Sequence, residues 1–207
     1  MLGLGLVVFV RLLTAVRAIY VGMFPDTTPR VYYANHSSNG DFVLLWAVLP
    51  PWVRRRTRPV AAADYWMRSP LRAFFGREVV NAVLIERDPA ARTEDPVAQM
   101  TAVLDAGASL IIFPEGRRNE SDDLLLPFKT GIYHLSVARP GTELVPVWIA
   151  NLNRVLPRGH VVPVPLICTA TFGAPIRLAP GEGRDAFLAR ARDALLELAP
   201  GAPEEAP

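Results

Sequence analysis

The chain has 207 residues, of which 51% are hydrophobic and 20% are charged, and its formal net charge is +2. This length suits one domain with a proper core and is short for two. The share of charged residues and the 20 prolines argue against both a disordered chain and a protein with many membrane spans. We therefore expect one globular domain.

The small net charge conceals a difference between the two halves of the chain. Residues 1–92 carry 12 arginines and 6 acidic residues, whereas residues 93–207 carry 10 basic and 14 acidic residues. Lys129 is the only lysine, and the planar guanidinium of arginine suits the phosphates of lipids, cofactors or nucleic acids. Cys168 is the only cysteine, which excludes a disulfide framework and predicts a reducing compartment.

Residues 1–24 begin with an apolar segment that Arg11 and Arg17 interrupt. These arginines argue against a signal peptide, so we expect the segment to remain on the protein. As one helix it would be about 30 Å long, which is the thickness of a bilayer core, but the two arginines nearly cancel the apolar gain from insertion. Arg11, Thr14 and Arg17 would share one side, which predicts a membrane-anchor helix lying among the lipid headgroups. A spanning helix and a helix packed against the domain are the alternatives.

Residues 25–207 form the predicted domain, in which short apolar runs alternate with helix-like stretches. The runs predict six strands at 31–34, 59–63, 82–85, 109–113, 144–150 and 166–172. Helical spacing predicts five helices at 41–49, 70–75, 95–106, 130–138 and 183–198. This alternation predicts an α/β domain with a mixed, largely parallel central sheet covered by helices.

The first candidate catalytic residues follow the strand at 31–34. His36 and Asp41 lie in its connection to the next helix, and ligands gather at such strand ends in α/β folds. A tight connection can fold the Asp41 carboxylate onto the imidazole and fix its tautomer, which makes His36 a candidate general base. The alternative is that Asp41 or Asn39 only caps the helix and that His36 is an ordinary loop residue.

Two further strand ends supply cations. The strand at 109–113 is followed by Glu115, Gly116 and Arg118, and the strand at 82–85 is followed by Arg87. Arginines and accessible backbone N–H groups at strand ends suit a phosphate. Charged turns exposed to solvent, with Glu115 paired to an arginine, are the alternative.

Four segments in this order resemble the motifs of the 1-acylglycerol-3-phosphate O-acyltransferases, the PlsC-type family of the glycerolipid acyltransferase superfamily. They read NHSSNGD at 35–41, LIERD at 84–88, FPEGRRN at 113–119 and VPVWI at 145–149. PFKTG at 127–131 also resembles the segment that follows the third motif. The likeness covers residues 31–151, and four ordered motifs are more specific than any single one.

The resemblance implies an enzyme that moves a fatty acyl group from acyl-CoA or acyl carrier protein to the free hydroxyl of a lysophospholipid. The expected acceptor is 1-acyl-glycerol-3-phosphate, which would give phosphatidic acid. His36 and Asp41 would be catalytic, and no metal or other cofactor is implied. The residues implied to bind the acceptor are Arg87, Glu115, Gly116, Arg118 and Lys129.

Two residues of the third motif depart from the family pattern. Arg117 stands where the family commonly has Thr, and Asn119 stands where it commonly has Ser. An additional arginine favours a more anionic or larger headgroup. A lyso-amino-lipid or a glycolipid therefore stays open as the acceptor.

The arginines of residues 50–59, flanked by Trp46, Trp52 and Trp66, form a basic and aromatic patch. Such a patch predicts contact with membrane lipids at an anionic bilayer surface, with a solvated charge run as the alternative. With the N-terminal segment, it predicts a peripheral or monotopic protein at the cytoplasmic face of the membrane. We expect no nucleic-acid partner, although a non-catalytic basic module binding membrane or nucleic acid is the alternative function.

Overall fold

The computed structural model describes residues 2–38, 40–152 and 168–201. Its centre is a seven-stranded sheet with the strand order β1-β7-β6-β2-β5-β3-β4. The strands are β1 (Arg17–Tyr20), β2 (Arg30–Ala34), β3 (Thr57–Ala62), β4 (Val83–Ile85), β5 (Ser109–Ile112), β6 (Glu143–Ala150) and β7 (Thr169–Phe172). Among these strands β6 and β7 pair antiparallel and all other neighbours pair parallel. The predicted α/β class and mixed, largely parallel sheet are confirmed.

Helices cover both faces of the sheet. They are α1 (Leu2–Thr14), α2 (Asp41–Val48), α3 (Pro51–Arg54), α4 (Ala63–Trp66), α5 (Pro70–Phe74), α6 (Pro96–Asp105), α7 (Gly131–Ala138) and α8 (Arg184–Leu196), with a π-helix (Phe75–Val79) directly after α5. One core lies beneath α1 and α2, and the other lies beneath α6, α7 and α8.

Successive residues of β6 contribute to these two cores in alternation. Val145, Val147 and Ile149 belong to the core beneath α1 and α2, whereas Leu144 and Trp148 belong to the opposite core. Because both faces are covered, the strand is apolar at nearly every position. This burial explains why the central strands appear in the sequence as continuous apolar runs.

The predicted strands and helices of the domain are present, and their described ends differ from the prediction by at most three residues. Residues 166 and 167, which the prediction placed in the last strand, lie outside the described residues. Helix starts follow the expected chemistry. The Asp95 side chain accepts hydrogen bonds from the Val97 and Ala98 N–H groups, and Pro96 occupies the first turn of α6.

The N-terminal segment differs from the predicted anchor helix over residues 1–24. Helix α1 ends at Thr14, and Arg17–Tyr20 instead form the edge strand β1 beside β7. Thr14, which the prediction placed on a polar side with Arg11, is buried, and its hydroxyl donates to the helix backbone. Strand β7 supplies hydrogen-bond partners for the backbone of residues 17–20. These partners would stay unused if the helix continued through this segment. Within the described residues, every helix is too short or too polar to traverse a bilayer.

Helix α1 packs against α2, and its described side chains differ in exposure. Val7 and Val10 are buried there, whereas Val8 and Phe9 are 50% and 62% exposed. The alternative of a helix packed against the domain is therefore correct for one side of α1.

Two arginines of the basic patch at residues 50–59 serve the local backbone. Arg54 donates to two carbonyls at the end of α2 and lies over the ring of Trp46, and Arg58 donates to the Asn81 carbonyl. Arg55 and Arg56 are exposed. Contact of this patch with lipid stays a proposal.

Candidate active site

His36 and Asp41 meet at the carboxyl end of β2. The His36 Nδ1 atom lies 2.9 Å from Asp41 Oδ2, and this oxygen also accepts the N–H groups of Ser37 at 2.7 Å and Ser38 at 2.8 Å. The loop therefore wraps around the carboxylate, which begins α2 and is fully buried. The structure thus brings together the two residues predicted to be catalytic.

This pairing determines which imidazole nitrogen can act as a base. An ionised carboxylate only accepts hydrogen bonds, so the proton of a neutral imidazole resides on Nδ1 and the lone pair is on Nε2. The ring of His36 also stacks on Phe113, with 4.4 Å between the ring centres and 25° between the planes. Its side chain is 22% exposed, so the ring is oriented by Asp41 on its inner side and remains partly accessible on the other.

The backbone of His36 is held by the third motif. Its N–H donates to Glu115 Oε1 at 2.7 Å, and its carbonyl accepts the Asn119 N–H at 2.6 Å. The other Glu115 oxygen accepts the Leu126 N–H at 2.8 Å. One carboxylate therefore ties together the loop of His36, its own loop and the segment that leads to Lys129.

Glu115 is 2% exposed, and it points into the protein rather than into a cavity. Burial raises the pKa of its carboxyl group, and the two backbone hydrogen bonds only partly counteract this effect. The structure places Glu115 behind the site as a support for His36. The role of an acceptor ligand, which the family resemblance implied, is not visible in this arrangement.

Gly116 has a backbone conformation and an environment that favour glycine. Its φ is +70°, and a methyl group on its Cα would lie 3.0 Å from the Cγ atom of Lys129. The Lys129 N–H donates to the Pro114 carbonyl at 2.7 Å, which holds this approach in place. The stem of Lys129 therefore crosses the turn of the third motif.

The two arginines predicted to grip a phosphate both have carboxylate partners. Arg87 donates from Nε and Nη2 to the two oxygens of Asp64, at 3.0 and 2.6 Å, and Arg118 pairs with Glu120. Both pairs are partly exposed. Arg87 thus holds both oxygens of its carboxylate, whereas Arg118 directs two N–H groups to one oxygen of Glu120, and a phosphate could replace either carboxylate.

A cavity of about 400 Å³ joins most of these groups. Its walls include the apolar side chains of β3, β4, β5, α6 and α7. Five residues predicted for the site line it: His36, Arg87, Gly116, Arg118 and Lys129. Asp41 and Glu115 lie behind the wall. The cavity thus combines an apolar interior with a base and several cations, which suits a ligand with a hydrocarbon chain and an anionic group.

A second cavity, of about 730 Å³, adjoins the other side of His36. It is lined by neutral polar residues such as Ser37 and Ser38 and by the acidic residues Glu120, Asp122 and Asp123. Arg118 borders both cavities. Within the described residues, no group of three or more His, Cys, Asp or Glu side chains is placed to hold a metal ion.

The comparisons with known proteins agree with this geometry. The sequence model of the Acyltransferase family matches residues 16–150, which include all four motif segments. The chain belongs to the Acyltransferase family. The resemblance read from the motifs is therefore confirmed.

Relatives of this Acyltransferase chain include named enzymes. It is 32% identical over 133 residues to 1-acyl-sn-glycerol-3-phosphate acyltransferase alpha of Mus musculus, with 62% of this chain and 42% of that protein covered. It is 29% identical over 134 residues to 1-acyl-sn-glycerol-3-phosphate acyltransferase of Haemophilus influenzae, with 60% and 51% covered. The chain thus spans about half, or less, of the length of these relatives.

The crystal structure of the 1-acyl-sn-glycerophosphate (LPA) acyltransferase PlsC of Thermotoga maritima has a similar fold. The TM-score is 0.70 at 18% identity, over 93% of this Acyltransferase chain and 76% of that one. At this level of identity the likeness is one of fold.

Proposed function

We propose that this chain transfers a fatty acyl group from a thioester, either acyl-CoA or acyl carrier protein, to the free hydroxyl of a lysophospholipid. The proposed acceptor is 1-acyl-glycerol-3-phosphate, after the activity for which the relatives are named, and the product is phosphatidic acid. The observation that carries the proposal is the oriented His36–Asp41 pair, which opens onto a cavity with apolar walls and a cationic rim.

In the proposed reaction His36 Nε2 takes the proton of the acceptor hydroxyl as its oxygen attacks the thioester carbonyl carbon. The tetrahedral intermediate then collapses, the carbon–sulfur bond breaks, and the leaving thiolate takes the proton back from Nε2. Asp41 holds the imidazole throughout and stabilises its positive charge. Positioned general-base catalysis supplies about 10²- to 10⁴-fold, and holding the two substrates together supplies much of the rest.

Arg87, Arg118 and Lys129 are proposed to bind the phosphate of the acceptor. All three line the cavity that contains His36. Within the described residues, Lys129 forms no ion pair, whereas the two arginines would exchange a carboxylate for the phosphate. The apolar walls of the cavity are proposed to hold a hydrocarbon chain.

One observation favours a second acceptor class. Glu120, Asp122 and Asp123 line the polar cavity beside His36, and carboxylates attract ammonium groups. A lyso-amino-lipid would present such a group. This acceptor therefore belongs in the same assay as lysophosphatidic acid.

The membrane is the proposed location of the acceptor and of the protein, which we place at the cytoplasmic face as a peripheral or monotopic protein. The exposed Val8 and Phe9 on α1 and the neighbouring Arg11 support contact with a lipid surface.

A product screen tests the proposal. Purified protein is incubated with acyl-CoA or acyl carrier protein and with several lysolipids, thiol release is measured, and products are identified by mass spectrometry. Phosphatidic acid formation that disappears in His36→Ala is the expected result. If only an amine-bearing lysolipid accepts the acyl group, that lysolipid replaces 1-acyl-glycerol-3-phosphate as the proposed acceptor. If no pair of donor and lysolipid consumes thioester, the proposed activity is contradicted.

A further inference from the structure

Residues 65–77, which we name the mouth segment, combine exposed apolar side chains with arginines. The exposed apolar side chains include Met67, Leu71 and Phe74, with exposures of 46%, 78% and 48%. The exposed arginines are Arg68, Arg72 and Arg77. Within the described part of the chain, none of the three forms an ion pair with a carboxylate. A surface of this composition is both apolar and positively charged.

The mouth segment is held against the domain by Trp66. This ring packs edge-on against Phe42 at 5.4 Å and stacks on Phe75 at 6.0 Å. A methyl group on Gly76 would lie 3.1 Å from the same ring, so the π-helix passes close beside it. The outward direction of Leu71 and Phe74 is thus set by packing beneath them.

The segment also borders the cavity that contains His36. Tyr65 and Trp66 line this cavity, and Arg72 lies over the ring of Tyr65 at 4.7 Å. When a hydrocarbon chain moves from a bilayer into the cavity, each methylene group that becomes exposed to water raises its free energy. An apolar rim pressed against the bilayer removes that exposure.

We propose that the mouth segment docks on an anionic bilayer surface. Met67, Leu71 and Phe74 insert among the lipids, and the three arginines bind headgroup phosphates, as expected for amphipathic basic surfaces. This contact is additional to any made by α1. It deepens the proposed function, because it gives a lysolipid or acyl donor a dry entrance to the cavity.

Vesicle flotation tests the docking surface directly. The protein is mixed with vesicles of phosphatidylcholine, with and without about one third phosphatidylglycerol. Leu71→Ser with Phe74→Ser, and separately Arg68→Gln with Arg77→Gln, should each lower binding to the anionic vesicles ~10-fold. Val137→Ser is the matched control, because Val137 is 50% exposed on α7, and it should bind as the unaltered protein does. Thermal unfolding of each variant verifies the fold.

Two results would overturn the docking surface. One is failure of the unaltered protein to bind anionic vesicles. The other is binding by both double variants that equals the binding of the unaltered protein.

An activity assay separates this inference from the proposed function. A short-chain lysolipid below its critical micelle concentration requires no docking, so the double variants should keep transfer to it while losing transfer to acceptor in vesicles. If the unaltered protein transfers to neither acceptor, the proposed function fails, and the flotation result still decides the docking surface. Loss of soluble transfer with intact vesicle binding would overturn docking and assign Leu71 and Phe74 to the cavity.

Discussion

Asn35 and Ile149 exchange two hydrogen bonds across the ends of β2 and β6. The Asn35 Nδ2 atom donates to the Ile149 carbonyl at 3.0 Å, and the Ile149 N–H donates to Asn35 Oδ1 at 2.7 Å. Asn35 is buried and directly precedes His36. The amide of Asn35 thus extends the pairing of β2 with β6 by one side chain, and it fixes the point at which the loop of His36 and Asp41 leaves the sheet.

Replacing this amide should destabilise the domain. Asn35→Ala leaves the N–H and the carbonyl of Ile149 buried without their partner, so the free energy of unfolding should fall by about 2–4 kcal/mol in urea denaturation. Gln99→Ala, which removes a partly exposed amide on α6, is the control and should change stability by less than ~0.5 kcal/mol. Equal stability of the two variants would show that water replaces the lost bonds.

Removing the base should abolish catalysis without unfolding the protein. His36→Ala should lower kcat by about 10²- to 10⁴-fold, because it removes the group proposed to take the proton from the acceptor hydroxyl. Asp41→Asn should cause a loss of similar order, since an amide permits the wrong imidazole tautomer. His134→Ala, on the exposed side of α7, is the control. Unchanged turnover in His36→Ala with an intact circular dichroism spectrum would refute the assignment.

The arginines of the cavity should act on the acceptor. Arg118→Ala and Arg87→Ala should each raise KM for the lysophospholipid by roughly 10-fold or more, as expected for the loss of a charge-assisted hydrogen bond. Arg139→Ala is the matched control, because Arg139 forms a similar partly exposed pair with Asp105 away from the cavity. An effect confined to KM for the acyl donor would reassign these arginines.

The stability of the protein should depend on the ionisation of Glu115. Its pKa is raised above the ordinary value of 4.5, so over an interval of pH the folded protein keeps a proton that the unfolded chain has released. The stabilisation from this group is present below pH 4.5 and is lost as pH rises through the raised pKa. The difference in unfolding free energy between the unaltered protein and Glu115→Gln should therefore decline over that interval. Parallel curves would contradict the raised pKa.

The same substitution distinguishes a support for His36 from an acceptor ligand. If Glu115 positions His36, Glu115→Gln should lower kcat, leave the acceptor KM nearly unchanged and alter the pH profile of turnover. A raised acceptor KM with unchanged kcat would restore the role implied by the family resemblance.

The thiol of Cys168 should be unreactive in the folded protein. Burial raises its pKa to about 11, so little thiolate is present at neutral pH. A thiol reagent should therefore label Cys168 only when urea unfolds the chain. Rapid labelling of the folded protein would contradict the burial of this side chain.

The sequence predicts the part of the site that depends on local spacing. His36 and Asp41 are five residues apart in a strand–loop–helix connection, so their meeting follows from local geometry. The inward turn of Glu115 depends on a backbone group 79 residues away, and the amide of Asn35 pairs with a strand 114 residues away. A single sequence gives no signal for such partners, although Asn35 stands within the first motif.

The prediction of one helix over residues 1–24 was wrong for a related reason. Its apolar residues fit a helix or a strand equally well in isolation. Residues 17–20 form a strand because they pair in parallel with β7, which lies some 150 positions later in the chain. Local pattern cannot reveal the hydrogen-bond partner that a distant strand offers.

Glu115 and Asn119 hold the backbone of His36. Asp41 and Phe113 hold its imidazole ring. The protein itself therefore holds the proposed base in one orientation. In the proposed reaction the imidazole would then lose little rotational freedom on the way to the transition state, and the binding energy of the acceptor would serve to align its hydroxyl with the thioester.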